Sequence, residues 1–195
     1  MLPDYVHIDD ENCKSRDVLR TPAQDIEFPL SDDNKTVLNQ LMDKFGKEQN
    51  CAGLAATQIG YGKRIIVLHV PEDVKSLRKD VYEIVPPTVL FNPQYHPIGD
   101  EKTIDWEGCF SVKYTMGEVL RYTTIAYQGY DASGNKVEGI AKGFLARLIQ
   151  HEIGHLNGEL FIDLITKGCR NGPIEEMRAL RLKEREEQVK SQTEK

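Results

Sequence analysis

Residues 150–155 read Gln-His-Glu-Ile-Gly-His, and the HExxH spacing within them constrains the fold more than any other feature of the chain. His151 and His155 share a face only if the segment is an α-helix, where positions i and i+4 lie one above the other. Two imidazoles so placed can hold a single metal ion. Phe144 and Leu148 continue that face and give the pair apolar surroundings. Glu152 lies about 100° around the helix, where it can reach a metal-bound water as a general base without being a ligand. The helix is expected from Gly143 to about Asn157. Its apolar residues, Phe144, Leu145, Leu148, Ile149, Ile153 and Leu156, spread around much of the cylinder, as in a helix buried by its neighbours.

The elements around this helix are expected to be strands. Arg64–Val70 is rich in β-branched residues, Val89–Asn92 reads as a second strand ended by Pro93, and Thr123–Tyr130 and Val137–Lys142 flank the turn at residues 131–135. Further upstream, Ser31 can cap an amphipathic helix reaching about Glu48 through Val37, Leu38, Leu41, Met42 and Phe45. Strands first and a buried helix later define an α+β fold, with short antiparallel sheets packed around a central helix carrying HExxH. No repeat or linker divides residues 1–195, so one catalytic domain is expected. Residues 174–195 carry 12 charged side chains in 22 and read as a solvated helical tail.

Composition narrows the function classes. With 39% hydrophobic and 29% charged residues the chain is a folded globular protein rather than a disordered or disulfide-dense one. A net charge of −6 and the lack of a basic stripe argue against nucleic acid as a partner. Residues 1–10 carry acidic side chains where a signal peptide would be basic and then apolar, and no apolar run reaches the ~20 residues of a membrane helix. A cytoplasmic protein with no membrane partner is therefore expected. Its four cysteines, Cys13, Cys51, Cys109 and Cys169, form no CxxC pair and read as free thiols.

A catalytic divalent cation normally takes three protein ligands and leaves a position for water. The extended motif HExxHxxGxxH supplies Gly158 but places Phe161, which cannot ligate, at the last position. Glu175 or Glu176 could serve as in other zinc proteases, although both sit in the charged tail. Cys109, within Glu107-Gly-Cys-Phe-Ser111, could serve as a thiolate, although a lone cysteine more often reads as a buried free thiol. A third segment, Cys51-Ala-Gly-Leu-Ala-Ala-Thr-Gln58-Ile-Gly60, packs small residues before a strand. It ends in an amide able to donate to a developing oxyanion.

The three segments together resemble the peptide deformylase family, whose pattern is GxGLAAxQ, then EGCxS, then QHExDHxxG, in that order. The likeness covers about residues 15–170. It implies hydrolysis of the N-formyl group from formyl-methionyl ends of nascent polypeptides, with the ribosome as a further partner to consider. It implies Cys109, His151 and His155 as metal ligands, Glu152 as acid and base, and Gln58 with the Phe110 N–H as oxyanion donors. Gly53, Leu54 and Arg121 would meet the peptide, and Phe144 and Leu148 would line the methionine pocket. The implied metal is Fe2+, with Zn2+, Ni2+ or Co2+ able to occupy the site.

The chain departs from the pattern at Cys51 for glycine, Thr57 for proline, Leu120 for proline and Gly154 for aspartate. Gly154 costs roughly 1 kcal/mol relative to Ala in a helix interior, and no compensation is visible in the sequence. Arg147 falls near the expected methionine pocket, where its charge is expected to point outward. Two further readings stay open: a zinc endopeptidase using Glu175, with Cys109 structural, and a silent relative whose tail binds a partner such as the ribosome.

Overall fold

The run Ile-Ile-Val-Leu-His-Val at residues 65–70 is almost wholly apolar because the strand it forms is covered on both faces. In the computed structural model, which describes residues 2–11, 13 and 15–193 apart from the side chains of residues 77 and 188–193, the chain has four α-helices and eight strands. A five-stranded antiparallel sheet has the order β1-β2-β3-β6-β7, formed by Gly53–Ala55, Ile65–Val70, Val85–Pro97, Thr124–Tyr130 and Lys136–Lys142. A three-stranded antiparallel sheet has the order β4-β5-β8, formed by Lys102–Glu107, Thr115–Tyr122 and Asn171–Pro173. The helices are α1 (Asp32–Lys47), the single turn α2 (Val74–Leu77), α3 (Gly143–Leu156) and α4 (Ile174–Thr193).

Alternation along β2 divides the core. Ile65 and Val67 face Val37, Leu41 and Phe45 of α1, whereas Ile66, Leu68 and Val70 join Leu145, Leu148, Ile149 and Ile153 of α3. The five-stranded sheet is thus clasped between two helices. Ser31 caps α1 by accepting from the Asn34 N–H at 3.2 Å, as its sequence position predicts.

Side chains of α3 also reach the smaller sheet. Gln150 donates to the Tyr122 carbonyl at 2.9 Å and accepts from the Tyr122 N–H at 3.1 Å. Arg147 donates to the carbonyls of Val119 at 2.9 Å and Thr103 at 2.7 Å. The helix therefore joins the two sheets as well as filling the space beside them. Among the described residues no helix is long and apolar enough to cross a membrane.

Two features differ from the sequence reading. The second strand does not stop at Asn92 but continues through Pro93 to Pro97. Asn92 has φ 49° and its side chain bonds the N–H and carbonyl of Ile26 at 2.7 and 2.9 Å. The register with β6 shifts between Phe91 and Gln94, so Pro93 falls where its missing N–H interrupts no regular ladder. The three-stranded sheet was not foreseen. Its inward positions include Glu107 and Arg121, whose charges mask the alternation that marks a strand.

Ile149 has no exposed surface and sits in the cluster between α3 and the larger sheet. Ile149→Ala is expected to lower unfolding free energy by about 3 kcal/mol, read by urea denaturation at fixed metal content.

Candidate metal centre and cleft

One turn of α3 brings His151 and His155 together, with their Nε2 atoms 3.2 Å apart. The Cys109 Sγ arrives from the loop after β4, and the ligand atoms of Cys109, His151 and His155 all lie within 4.8 Å of one another. His151 Nδ1 is 2.9 Å from Glu107 Oε2; donation there leaves Nε2 with its lone pair toward the cluster. Two imidazole nitrogens this close repel unless a proton or a cation lies between them. Tetrahedral ligands with bonds of roughly 2.0–2.1 Å to nitrogen sit about 3.4 Å apart, close to what is found. The donor set fits a divalent cation of the zinc or ferrous kind. Glu175 and Glu176, the alternative third donors, are exposed in the first turn of α4 and stand outside this group.

Glu107 organises the surroundings. Its side chain is 4% exposed and accepts from Arg121 Nε and Nη2 at 3.0 and 2.9 Å, from Arg147 Nη1 at 2.7 Å and from His151. Burial alone would raise its pKa. The bonds from His151 and Arg121 instead hold it well below the usual carboxylate range.

Arg147 therefore points inward, contrary to expectation, because a buried carboxylate and two carbonyls receive its guanidinium. Arg121 likewise turns its guanidinium onto Glu107, and its side chain is 6% exposed. Leu54 is fully buried on the α1 side of the larger sheet and lends no side-chain surface to the cleft.

The cleft wall includes Gly53, Gln58, Cys109, Phe110, Phe144, Leu148, His151 and Glu152. Glu152 is 3% exposed, and its Oε2 has no hydrogen-bond partner among the described residues. Burial pushes this carboxyl up to about 7. Gly53 lies against it: a Cβ at residue 53 would come within 2.4 Å of Glu152 Oε1. Gln58 spends its Oε1 on the Ala55 N–H at 2.9 Å, which turns its amide into the donor that faces the cleft.

The departures at residues 51, 57 and 154 have local explanations. Cys51 is buried, its thiol donates to the Gly53 carbonyl at 3.2 Å, and burial pushes its pKa up to about 12, which favours the protonated thiol. Thr57 Oγ1 donates to the His155 carbonyl at 3.4 Å, tying the Gln58 segment to α3. Beside Gly154, a Cβ would stand 3.4 Å from Glu159 Oε1, which in turn lies 3.9 Å from Arg121 Nη1. Glu159 thus brings a carboxylate beside residue 154, where the family pattern has an aspartate. Nothing in the spacing of the motif signals this, because the chain turns between the two residues.

Two imidazoles, a thiol and a buried carboxyl meeting in one cleft of an α+β fold define the class as metal-dependent hydrolase. Comparisons with known proteins agree. Residues 10–171 match the family model described as polypeptide deformylase. Peptide deformylase 2 of Rickettsia conorii is 45% identical over 168 residues, 84% of this chain and 83% of that protein. Peptide deformylase 1 of Nitrosomonas europaea is 38% identical over 143 residues, 73% of this chain and 79% of that protein.

Among solved structures, the peptide deformylase of Ehrlichia chaffeensis in complex with actinonin superposes with a TM-score of 0.71 at 32% identity, over 85% of this chain and 90% of that one. A Met-Ala-Ser-bound peptide deformylase from Acinetobacter baumannii gives 0.72 at 25% identity, over 85% and 99%. The chain belongs to the polypeptide deformylase family, metal-dependent hydrolases that remove the N-formyl group from newly made polypeptides.

Because Glu107 has a lowered pKa, the stability it contributes is complete above the unfolded carboxylate value near 4.3 and is lost as pH falls below it. Glu107→Gln leaves two buried guanidinium groups without their counter-charge. It is expected to destabilise the fold by about 3 kcal/mol or more at neutral pH and to flatten the acid limb of stability against pH, both read by urea unfolding.

Proposed function

We propose that residues 1–195 form one catalytic unit in which Cys109, His151 and His155 hold the metal and Glu152 moves the proton during deformylation of formyl-methionyl peptides. The observation that carries this reading is the meeting of the three ligand atoms within 4.8 Å beside a buried carboxyl with an unpaired oxygen. A divalent cation held there supplies Lewis-acid polarisation and a water of lowered pKa.

Glu152 Oε2 accepts a proton from the attacking water as its oxygen bonds the formyl carbon. The Gln58 amide and the Phe110 N–H are proposed to donate to the oxyanion that develops. Glu152 then returns its proton to the leaving amine as the C–N bond breaks, releasing formate and a free methionyl end. A carboxyl poised near pH 7 suits both halves of this exchange. Phe144 and Leu148 would receive the methionine side chain, and the backbone at Gly53 would align the peptide. Arg121 acts as a positioning residue through Glu107 and His151.

Ferrous iron is the proposed metal on the strength of the family membership, and two imidazoles and a thiolate would also suit zinc, nickel or cobalt. The substrate would be met in the cytoplasm, on chains emerging from the ribosome.

The test is anaerobic formate release from formyl-Met-Ala-Ser by the ferrous protein. Glu152→Ala should keep its metal and lose about 10²–10⁴-fold in kcat; an unimpaired variant would overturn the role of Glu152. Metallated wild type that releases no formate would overturn the reading as a whole. Gly53→Ala should lower kcat by at least about tenfold with metal retained, because a 1 Å displacement of a reacting group can cost ~10²-fold and the new methyl group displaces Glu152.

A further inference from the structure

The cleft is larger than a formyl-methionine needs, and part of its wall is strongly basic. Its volume is about 1030 Å3, at the top of the roughly 300–1,000 Å3 typical of small-ligand sites. Arg178, Arg181 and Arg185 of α4 line it together with Arg78. At 3.6 residues per turn the three α4 arginines fall within an arc of about 60°. Glu175, Glu176, Glu186 and Glu187 lie outside that arc, and Glu184 is occupied by Arg170.

This basic wall joins the proposed methionine pocket. The Arg78 guanidinium lies 4.5 Å above the ring of Phe144 and is held by Asp80, at 3.0 Å, and by Asp105. Arg185 donates to the Ser76 carbonyl beside it. Arg178 and Arg181 form no ion pair among the described residues. Burial lowers the Arg181 pKa, and although Asp105 and Asp80 oppose this, Arg78 and Arg185 add to it by repulsion. An anion would relieve that crowding. Of the four acidic groups on the cavity wall, Glu107 is committed to Arg121 and Arg147, Glu48 lies 3.8 Å from Lys44 and Glu152 is buried beside Gly53, which leaves Asp73 as a local competitor.

We propose that Arg178, Arg181 and Arg185 form a charge-reading subsite that favours formyl-methionyl peptides with acidic side chains downstream of the methionine. The inference rests on the deformylase reading of the cleft. A peptide is favoured over RNA as the anion because the arginines line the same cavity as Gly53 and Glu152 instead of a separate outer face. In a chain of net charge −6, such a wall also draws acidic peptides into the cleft against the overall repulsion.

The experiment compares kcat/KM for formyl-Met-Ala-Glu-Glu and its isostere formyl-Met-Ala-Gln-Gln on the metal-loaded full chain. At low salt a preference of about 5–10-fold for the acidic peptide is expected, shrinking to about 2-fold or less near 0.5 M salt as the charges are screened. Arg181→Gln with Arg185→Gln should bring the ratio to about 2 or below, whereas the paired lysine variants should retain most of it.

Equal kcat/KM for both peptides in the wild type, or a ratio unchanged in the glutamine pair, would overturn the subsite while leaving deformylation intact. Turnover of neither peptide would overturn the deformylase reading and the subsite with it. An unchanged ratio accompanied by loss of binding to a single-stranded RNA probe would assign the arginines to phosphate instead. If the glutamine pair does not fold, the salt dependence of the wild-type preference decides the question on its own.

Discussion

Glu107 is removed from water and surrounded by donors from two other elements: Arg121 from β5, and Arg147 and His151 from α3. A carboxylate so buried persists as an anion only when its desolvation is offset by paired charges and a full set of hydrogen bonds. That requirement fixes the distance between the end of β4 and one face of α3, and it orients the His151 ring. The neighbouring Cys109, two residues along the chain, is thereby brought to the histidines. The same interaction that joins the smaller sheet to the helix also brings the three candidate ligands together, so stability and site geometry are not separable here.

The larger sheet does complementary work. Because β2 is buried by α1 on one side and α3 on the other, its position relative to the HExxH helix is set by packing on both faces. Gly53, paired with Leu68 of β2, and Gln58, just beyond β1, inherit that position and line the same cleft as Glu152. The close approach of Gly53 to the Glu152 carboxyl leaves no space for a side chain at that position. Small residues in this segment are a steric necessity that follows from the distance between β1 and α3.

Charge is distributed unevenly over an acidic chain. Glu107 and Glu152, two buried carboxyls near one another, are driven apart in behaviour: bonds from His151 and Arg121 keep the first ionised, while burial raises the second toward neutrality. Arginines along one face of α4 then line the outer part of the cleft. The tail that reads from its composition as a merely solvated helix is part of the cavity wall, since a count of charged residues does not reveal which face they occupy.

Local patterns were legible where one element decides them. The α1 span, its Ser31 cap, the β6–β7 hairpin and the extent of α3 follow from apolar periodicity and turn chemistry, which act over a few residues. The family likewise followed from three ordered motifs, because ligand and base must be particular chemical groups at particular spacings. What the sequence could not disclose were relations between residues distant along the chain. The inward turn of Arg147, the engagement of Arg121 by Glu107, the carboxylate that Glu159 brings beside Gly154, and the strand that continues through Pro93 all depend on partners 5 to 66 residues away. A charged side chain is read as outward until its counter-charge is known to be buried with it, and only the tertiary structure supplies that counter-charge.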